Sequence, residues 1–568
     1  MDGGEAGPVV VDGSADPAVE PVVDSVVDSV DGGDAVARVS PVLPHPAATS
    51  PSATSNGTAY DLMHSHLPVS PPSSRPAEQG STHSAAHPPG RAGISGPCAA
   101  HFAQSSPALI LGGKCCPSPV AWRRGPIMDI ARSLSAVPFA PGHLPVLGHL
   151  PAFRKEPLGF LLRLRSAGDA VRIGLGRREF VFFSDPGLVH DVLVGKAPSF
   201  GNGAFLDRIG PLIQEGALLV LPYEQHLPYR KRLNPQFRHV RIAAMSAAAV
   251  QNAQELAGQW PVGQPFRLDH ALQRLSAANS CSALLGRRLP AEAEIAVARA
   301  AMTIGSLLTA RALLPAWMSR LPLPANRRFV RACELLRSVV REHAQGEADS
   351  LLHWLAGEAV EAAGATERPA SERLMGDAAT VLFGGIETVS SVMAWFFWEL
   401  SRHPAVARQV WEEVASVTGE HGVRGTDRGS FRLLEAALWE TLRLHPGIVF
   451  TRRVEHAVVV GGVALPAGTE LLVSPYAMHR DPASFPQPDE FVPRRWLGRA
   501  ESPGHAYLPF GAGHRKCLGD NQAMAQMTLS LATIGSRWTV EVTNAAAVRE
   551  RVAATTRPDR LEAVVHPR

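Results

Sequence analysis

From about residue 186 to 417, apolar residues recur at spacings of three and four, which predicts a largely helical stretch with one face turned inward. Residues 170–174 (AVRIG) and 179–183 (EFVFF) break that period and read as a β pair, with residues 175–178 and Gly176 as the turn. Strand signals return over 456–475 (HAVVVGGVALPAGTELLVSP), where Val459-Val460-Gly461-Gly462 suggests a hairpin. Proline and glycine dominate 137–151, so the folded part is entered through turns and not through a helix. The pattern predicts a mainly α domain with small β-sheets, long enough to enclose a cofactor.

Residues 1–127 lack any sustained apolar period and are rich in Pro, Ser, Gly, Ala and His. The first 34 residues hold nine acids and no Lys or Arg. Such a segment cannot bury enough surface to offset its ordering entropy and is expected to be disordered. It is either a true acidic tail or a leader annexed by an early start codon, since Met128 would open a natural domain of residues 128–568. The leader carries six Lys and Arg against eleven Asp and Glu, a net −5, which leaves +8 on the rest of a chain whose total is +3. That charge comes with no basic run interleaved with stacking aromatics, so no nucleic-acid partner is expected.

The amino end is acidic and has no basic-then-apolar signal pattern. The longest apolar run, 380–400 (TVLFGGIETVSSVMAWFFWEL), carries Glu387 at its middle and reads as a core helix, not a membrane span. The six cysteines, at 98, 115, 116, 281, 333 and 517, form neither a disulfide framework nor a zinc pattern. A reducing cytoplasm is the expected compartment.

Near the end stands Phe510-Gly511-Ala512-Gly513-His514-Arg515-Lys516-Cys517-Leu518-Gly519. The glycines allow close backbone approach to a flat group, and Phe510 could shield a sulfur from water. Residues 518–534 read as a helix, with Cys517 at the amino end where the dipole favours a thiolate. This loop resembles the haem-binding loop of the cytochrome P450 family, in which a Cys thiolate is the axial iron ligand. The resemblance covers about residues 137–567. It implies the cytochrome P450 fold, with haem b (iron protoporphyrin IX) enclosed between a long distal helix and the Cys-bearing proximal loop.

Further motifs follow the same order as in that family. Two glycines inside a helix, Gly384-Gly385 in GGIET, cost about 1 kcal/mol each and ask for a reason, such as a ligand approaching the backbone while Thr388 interrupts the helical hydrogen bonds. The resemblance assigns Glu387 and Thr388 to proton delivery. His226 and Arg230 share a helical face, and with Arg452 and Arg515 they match contacts to the haem propionates; Arg453 rivals Arg452. Pro228 is expected to delay or kink the helix around His226, and Pro222-Tyr223 replaces the acid and glycine often found there. Glu440 and Arg443, three apart on one helix face, match with Arg495 a structural lock behind the haem. Phe510 and Cys517 complete the cofactor-binding set, with Cys517 the metal ligand.

The implied activity is monooxygenation of a hydrophobic small molecule. Only 51 residues follow Cys517, too few for a fused flavin reductase, so electrons are expected from a ferredoxin with its reductase or from a flavodoxin. Lys231 and Lys516 are expected to help dock that acidic carrier. Residues 199–220, 303–317 and 447–451, expected to face the pocket, are mostly apolar. Residues 321–329 and 450–453 resemble actinobacterial members that oxidise sesquiterpenes; fatty acids and polyketides stay open. A haem-thiolate sensor and a non-oxygenating isomerase or peroxide user are the other classes, both disfavoured by the Glu387-Thr388 pair.

Overall fold

The computed structural model describes residues 132–568, apart from 205, 209, 211, 213–215, 239, 315, 344–346, 348–349, 364–366 and 499–502. The expectation of a disordered leader over 1–127, and Met128 with it, lies outside the described residues.

The helices are α1 (Leu150–Lys155), α2 (Pro157–Ser166), α3 (Pro186–His190), α4 (Tyr223–Leu233), α5 (Val240–Ala257), α6 (Leu268–Leu285), α7 (Ala291–Leu313), α8 (Pro324–Glu342), α9 (Leu351–Ala363), α10 (Glu367–Arg402), α11 (Pro404–Thr418), α12 (Arg432–Leu444), α13 (Pro475–Met478) and α14 (Asp520–Arg537). The strands are β1 (Arg132–Ser133), β2 (Ala170–Leu175), β3 (Arg178–Phe183), β4 (Phe200–Asn202), β5 (Phe266–Arg267), β6 (Phe450–Val454), β7 (Val458–Val460), β8 (Val463–Leu465), β9 (Glu470–Val473), β10 (Trp538–Val542), β11 (Glu550–Val552), β12 (Thr556–Pro558) and β13 (Glu562–Pro567). The protein is mainly helical with small sheets.

The axis of the fold is α10, whose 36 residues span about 54 Å at 1.5 Å per residue. Its first half joins α6, α7, α8 and α9 in one apolar cluster that includes Cys281, Cys333, Phe329, Leu382 and Ile386. Its second half joins α5, α11, α12 and α14 in another, around Met393, Phe396, Phe397 and Leu438. Both α7 and α10 are long and apolar enough to cross a membrane, yet half and two thirds of their apolar windows are buried inside the fold. Asp377 and Glu387 on α10 are buried in a protein core that supplies hydrogen-bond donors to both oxygens of Asp377 and to Oε1 of Glu387.

The largest sheet has the order β2-β3-β9-β6-β4 and is mixed, with β3 and β9 parallel and its other pairs antiparallel. Its β2–β3 hairpin turns more tightly than the expected four residues. Leu175 pairs with Arg178, so two residues make the turn, and Gly176 accepts the positive φ of 65°. The Gly461-Gly462 hairpin forms as expected, with φ of 57° and 74° linking Val460 to Val463. The chain enters through β1, a short 3-10 turn and loops before α1.

The late start expected from Pro228 does not occur: α4 begins at Tyr223 and carries Pro228 inside it to Leu233. Proline removes one amide donor, and the carbonyl it leaves unpaired, that of Glu224, belongs to an exposed residue that water can serve.

Candidate functional site

Cys517 lies in the loop before α14. Its amide donates to the Phe510 carbonyl at 2.8 Å, which closes the loop. Gly511 and Gly513 both have φ of 70°, where side chains are strained. At Gly513 a Cβ would stand 1.9 Å from the Leu193 carbonyl oxygen, so this loop packs on the 191–195 turn only with glycine there. Phe510 meets Trp439 edge to face, with centroids 5.9 Å apart, and joins the apolar cluster behind the loop. The helix begins at Asp520, later than the sequence predicts. The thiol is accordingly not favoured as a thiolate by its surroundings alone: burial pushes it up, and so does Asp520, while the Gly519 amide, Arg230 and Lys516 pull it down without prevailing.

The Cys517 side chain sits deep in the protein and is still accessible, so it lines an interior space. Three arginines and two histidines gather there. His226 is buried with Nδ1 unpaired, and His514 has both ring nitrogens buried and unpaired. The rings meet edge to face at 5.3 Å. Burial and the neighbouring cations lower His226 to about 3 and His514 to about 4. Arg452 is lowered to about 10 by burial and by Arg515, and Arg515 to about 10 by burial, with Glu455 opposing. Arg230 is likewise lowered by burial. Arg515 donates to the carbonyls of Leu219 (3.1 Å) and Leu221 (2.6 Å), while its Nε stays unpaired. Among the described residues no carboxylate makes an ion pair with Arg230, Arg452 or Arg515.

Arg453 behaves otherwise. It donates to Glu470 at 2.6 Å and to Asp207 at 2.5 Å, because neighbours on a strand point to opposite faces. Arg452 therefore faces the cation cluster and Arg453 faces carboxylates.

On α10, Gly384 is exposed, and a Cβ there would meet no heavy atom within 4 Å. Gly385 is different, since a Cβ would lie 2.6 Å from Ser280 Oγ on α6. Only one of the two glycines faces open space, and the other serves helix packing. Thr388 does not interrupt the helix. Its hydroxyl donates to the Gly384 carbonyl at 2.5 Å and α10 continues to Arg402. Glu387 is fully buried and points elsewhere, its Oε1 accepting from Thr555 Oγ1 at 3.1 Å and from the Thr555 amide at 3.4 Å. Burial raises its pKa, with Arg557 and Thr555 opposing. The chain's second half brings Thr555 and Arg557 to Glu387 from 168 residues away, and no local sequence pattern signals it.

Behind the loop, Glu440, Arg443 and Arg495 converge as the sequence leads one to expect, and Trp496 joins them through a contact the sequence did not signal. Lys231 and Lys516 are both exposed, and Lys516 pairs with Asp520 at 2.5 Å.

The donors fit an iron porphyrin. Among the described residues no three His, Cys, Asp or Glu side chains form a metal cluster. A lone soft donor such as the Cys517 thiol suits a metal whose other ligands come with a macrocycle. The uncompensated cations suit two carboxylates on that group, and the orphaned imidazole nitrogens suit the same partners.

Comparison with known proteins agrees. Residues 138–559 match the family model described as Cytochrome P450. The chain is 30% identical to Cyclooctatin synthase of Streptomyces melanosporofaciens over 440 residues, covering 76% of this chain and 95% of that protein. It is 34% identical to Cyclooctat-9-en-7-ol 5-monooxygenase of the same organism, covering 70% and 88%. Identity to Pentalenene oxygenase of Streptomyces avermitilis is 30%, covering 76% and 95%.

Proposed function

The chain belongs to the cytochrome P450 family of haem monooxygenases, and on that premise we propose that it oxidises a terpene in secondary metabolism, with electrons from a separate carrier protein. The balanced reaction inserts one oxygen of O2 into a C–H bond and releases the other as water, using two electrons and two protons. The bound haem supplies the oxygen-activating iron, made electron-rich by its thiolate.

This chain's residues divide the remaining work. Cys517 would ligate the iron, while His226, Arg230, Arg452 and Arg515 would hold the propionates, with Phe510 backing the loop. Thr388, whose hydroxyl borders the interior space, and Glu387 beside it would deliver protons. The single observation that carries the substrate class is the open face at Gly384 within an apolar rim. Phe383, Leu518 and Ala554 fringe one cluster, and they neighbour Gly384, Cys517 and Thr555 in sequence. Such a rim suits a hydrocarbon skeleton with few polar handles. The printed activities of the relatives point the same way.

The electron carrier is a ferredoxin with its reductase, or a flavodoxin, docking on the Cys517 side through Lys231 and Lys516. The protein works in the cytoplasm, where the free buried thiols of Cys281 and Cys333 persist.

Titration of the ferric holoprotein with sesquiterpenes, followed at the haem Soret band, tests the substrate class. A low- to high-spin shift is the expected result. A shift given by fatty acids or polyketides, and by no terpene, would overturn it.

A further inference from the structure

Neighbours on an α-helix diverge by about 100°, and Glu387 and Thr388 make different use of that angle. Thr388 lies on the accessible side of α10 with its hydroxyl on the Gly384 carbonyl, while Glu387 is turned to the β11–β12 hairpin. The acid is served on one side only: Oε1 receives both Thr555 donors, and Oε2 is buried without a partner. A carboxyl held this way keeps its bare oxygen available to carry and give up a proton.

The cradle is specific. Glu387 fits under α7 because residue 305 is glycine; a Cβ there would stand 2.9 Å from Glu387 Cγ. Three anchors fix the hairpin tip that brings Thr555. Thr309 Oγ1 on α7 donates to the Ala553 carbonyl at 2.8 Å, Trp395 Nε1 on α10 donates to the Thr556 carbonyl at 3.0 Å, and Thr555 bridges to Gly447. Arg557 on β12 is the charged group whose field reaches the carboxyl. On that side α7 presents Gly305, and α6 presents Ser280 to the adjacent Gly385.

We propose that Thr555 is a positioning residue for Glu387: by holding the carboxyl on the hairpin side of α10, it sets how often oxygen activation ends in product and not in peroxide. In the productive cycle each of the two protons leaves Glu387 as its O–H bond breaks, passes by way of the Thr388 hydroxyl to the reduced oxygen, and is replaced on Glu387 from solvent. The two electrons come from the ferredoxin-type carrier. When delivery from Glu387 is late, the two-electron-reduced oxygen takes its two protons from solvent and leaves as hydrogen peroxide. The inference rests on the reading of Glu387 as the proton donor.

The test uses holoprotein with a ferredoxin, its reductase and NADH, with pentalenene as the probe, and measures peroxide released per NADH. That ratio is readable whether or not the probe is oxidised. Thr555→Val is expected to raise the peroxide share about five-fold, the equivalent of one lost hydrogen bond. Thr555→Ser should restore it. Loss of the Thr555 donor also favours the protonated acid, so the alkaline limb of coupled turnover should move to higher pH in Thr555→Val. Glu387→Gln separates the two readings. If it raises peroxide while Thr555→Val leaves both peroxide share and pH limb unchanged, Thr555 does not position the acid. If Glu387→Gln changes nothing, the proton-donor reading falls and this inference with it. Should Thr555→Val fail to retain haem, Thr309→Val is read in its place, since it frees Ala553 and loosens the same tip. A raised peroxide share there supports the proposal and an unchanged one overturns it.

Discussion

Arg443 grips Glu440 with two parallel hydrogen bonds, Nη2 to Oε1 at 2.9 Å and Nε to Oε2 at 3.0 Å, and neither side chain is exposed at all. The same carboxylate accepts from Arg495 Nε (3.0 Å), Trp496 Nε1 (2.8 Å) and the Val492 amide (2.9 Å). Arg443 spends its other donors on the carbonyls of His479, Pro488 and Glu490. Neutralising one member strands a buried charge, so Glu440→Gln should cost about 3–5 kcal/mol and show as a lower urea midpoint with poor haem retention. Arg495 lies at the edge of the cluster with a sixth of its side chain exposed, and Arg495→Ala should cost only about 1–2 kcal/mol. Equal costs for the two variants would contradict this account.

The adjacent glycines of α10 should respond in opposite ways. Gly384→Ala adds a methyl to open space and improves helix propensity by about 0.5–1 kcal/mol, so melting temperature should rise while the substrate-induced Soret shift changes. Gly385→Ala drives a Cβ to 2.6 Å from Ser280 Oγ and should lower the melting temperature. Circular dichroism melts of the two variants decide it.

Asp377 ties the loop before α4 to α10. Its Oδ1 accepts from the Leu218 amide at 2.7 Å and its Oδ2 from Tyr229 at 2.6 Å, while Arg373 donates to the Gly216 carbonyl at 2.8 Å. Burial raises the Asp377 carboxyl to about 6 from an ordinary 3.8, with Tyr229, Leu218 and Arg373 opposing. The folded state therefore holds a proton that the unfolded chain has released. The stability this group contributes is complete below pH 4 and is lost as pH rises through 6. The stability difference between the native protein and Asp377→Asn should shrink over that range in urea titrations, and a flat difference would refute it.

His445 gives a second pH signature. It stacks on Trp395 at 4.1 Å, with Nε2 on Glu399 (2.9 Å) and Nδ1 on Glu550 (3.2 Å). Burial works against the imidazolium, yet the two carboxylates prevail and raise its pKa. Its contribution is full below the unfolded value of about 6.5 and fades as pH climbs through the raised one. Glu550 is lowered, against its own burial, by His445, so its share is lost in acid. His445→Gln should thus be most destabilising near pH 6 and less so at pH 9, measured by denaturant midpoints.

Much of this was legible in sequence. The Cys517 loop announces itself because glycine geometry and a short-range turn carry it, and the Glu440–Arg443 pair because three residues on a helix share a face. The β6 strand is not legible, since FTRRV reads as polar until its two faces are seen, one on carboxylates and one on the cation cluster. Thr555 and the Asp377 tie are silent for a different reason. They are contacts between single residues 168 and 159 positions apart, and one threonine or aspartate carries no periodic signal.

The space beside Gly384 also bears on how such an enzyme diversifies. A glycine codon becomes an alanine codon by one base change, and here that change leaves the packing of α10 untouched. On the proposed role of that space, the shape offered to substrate can drift in a single step without passing through an unstable intermediate. The Glu440 cluster has no such neighbouring step. A lineage carrying this fold can explore new products freely at the one place and must stand still at the other.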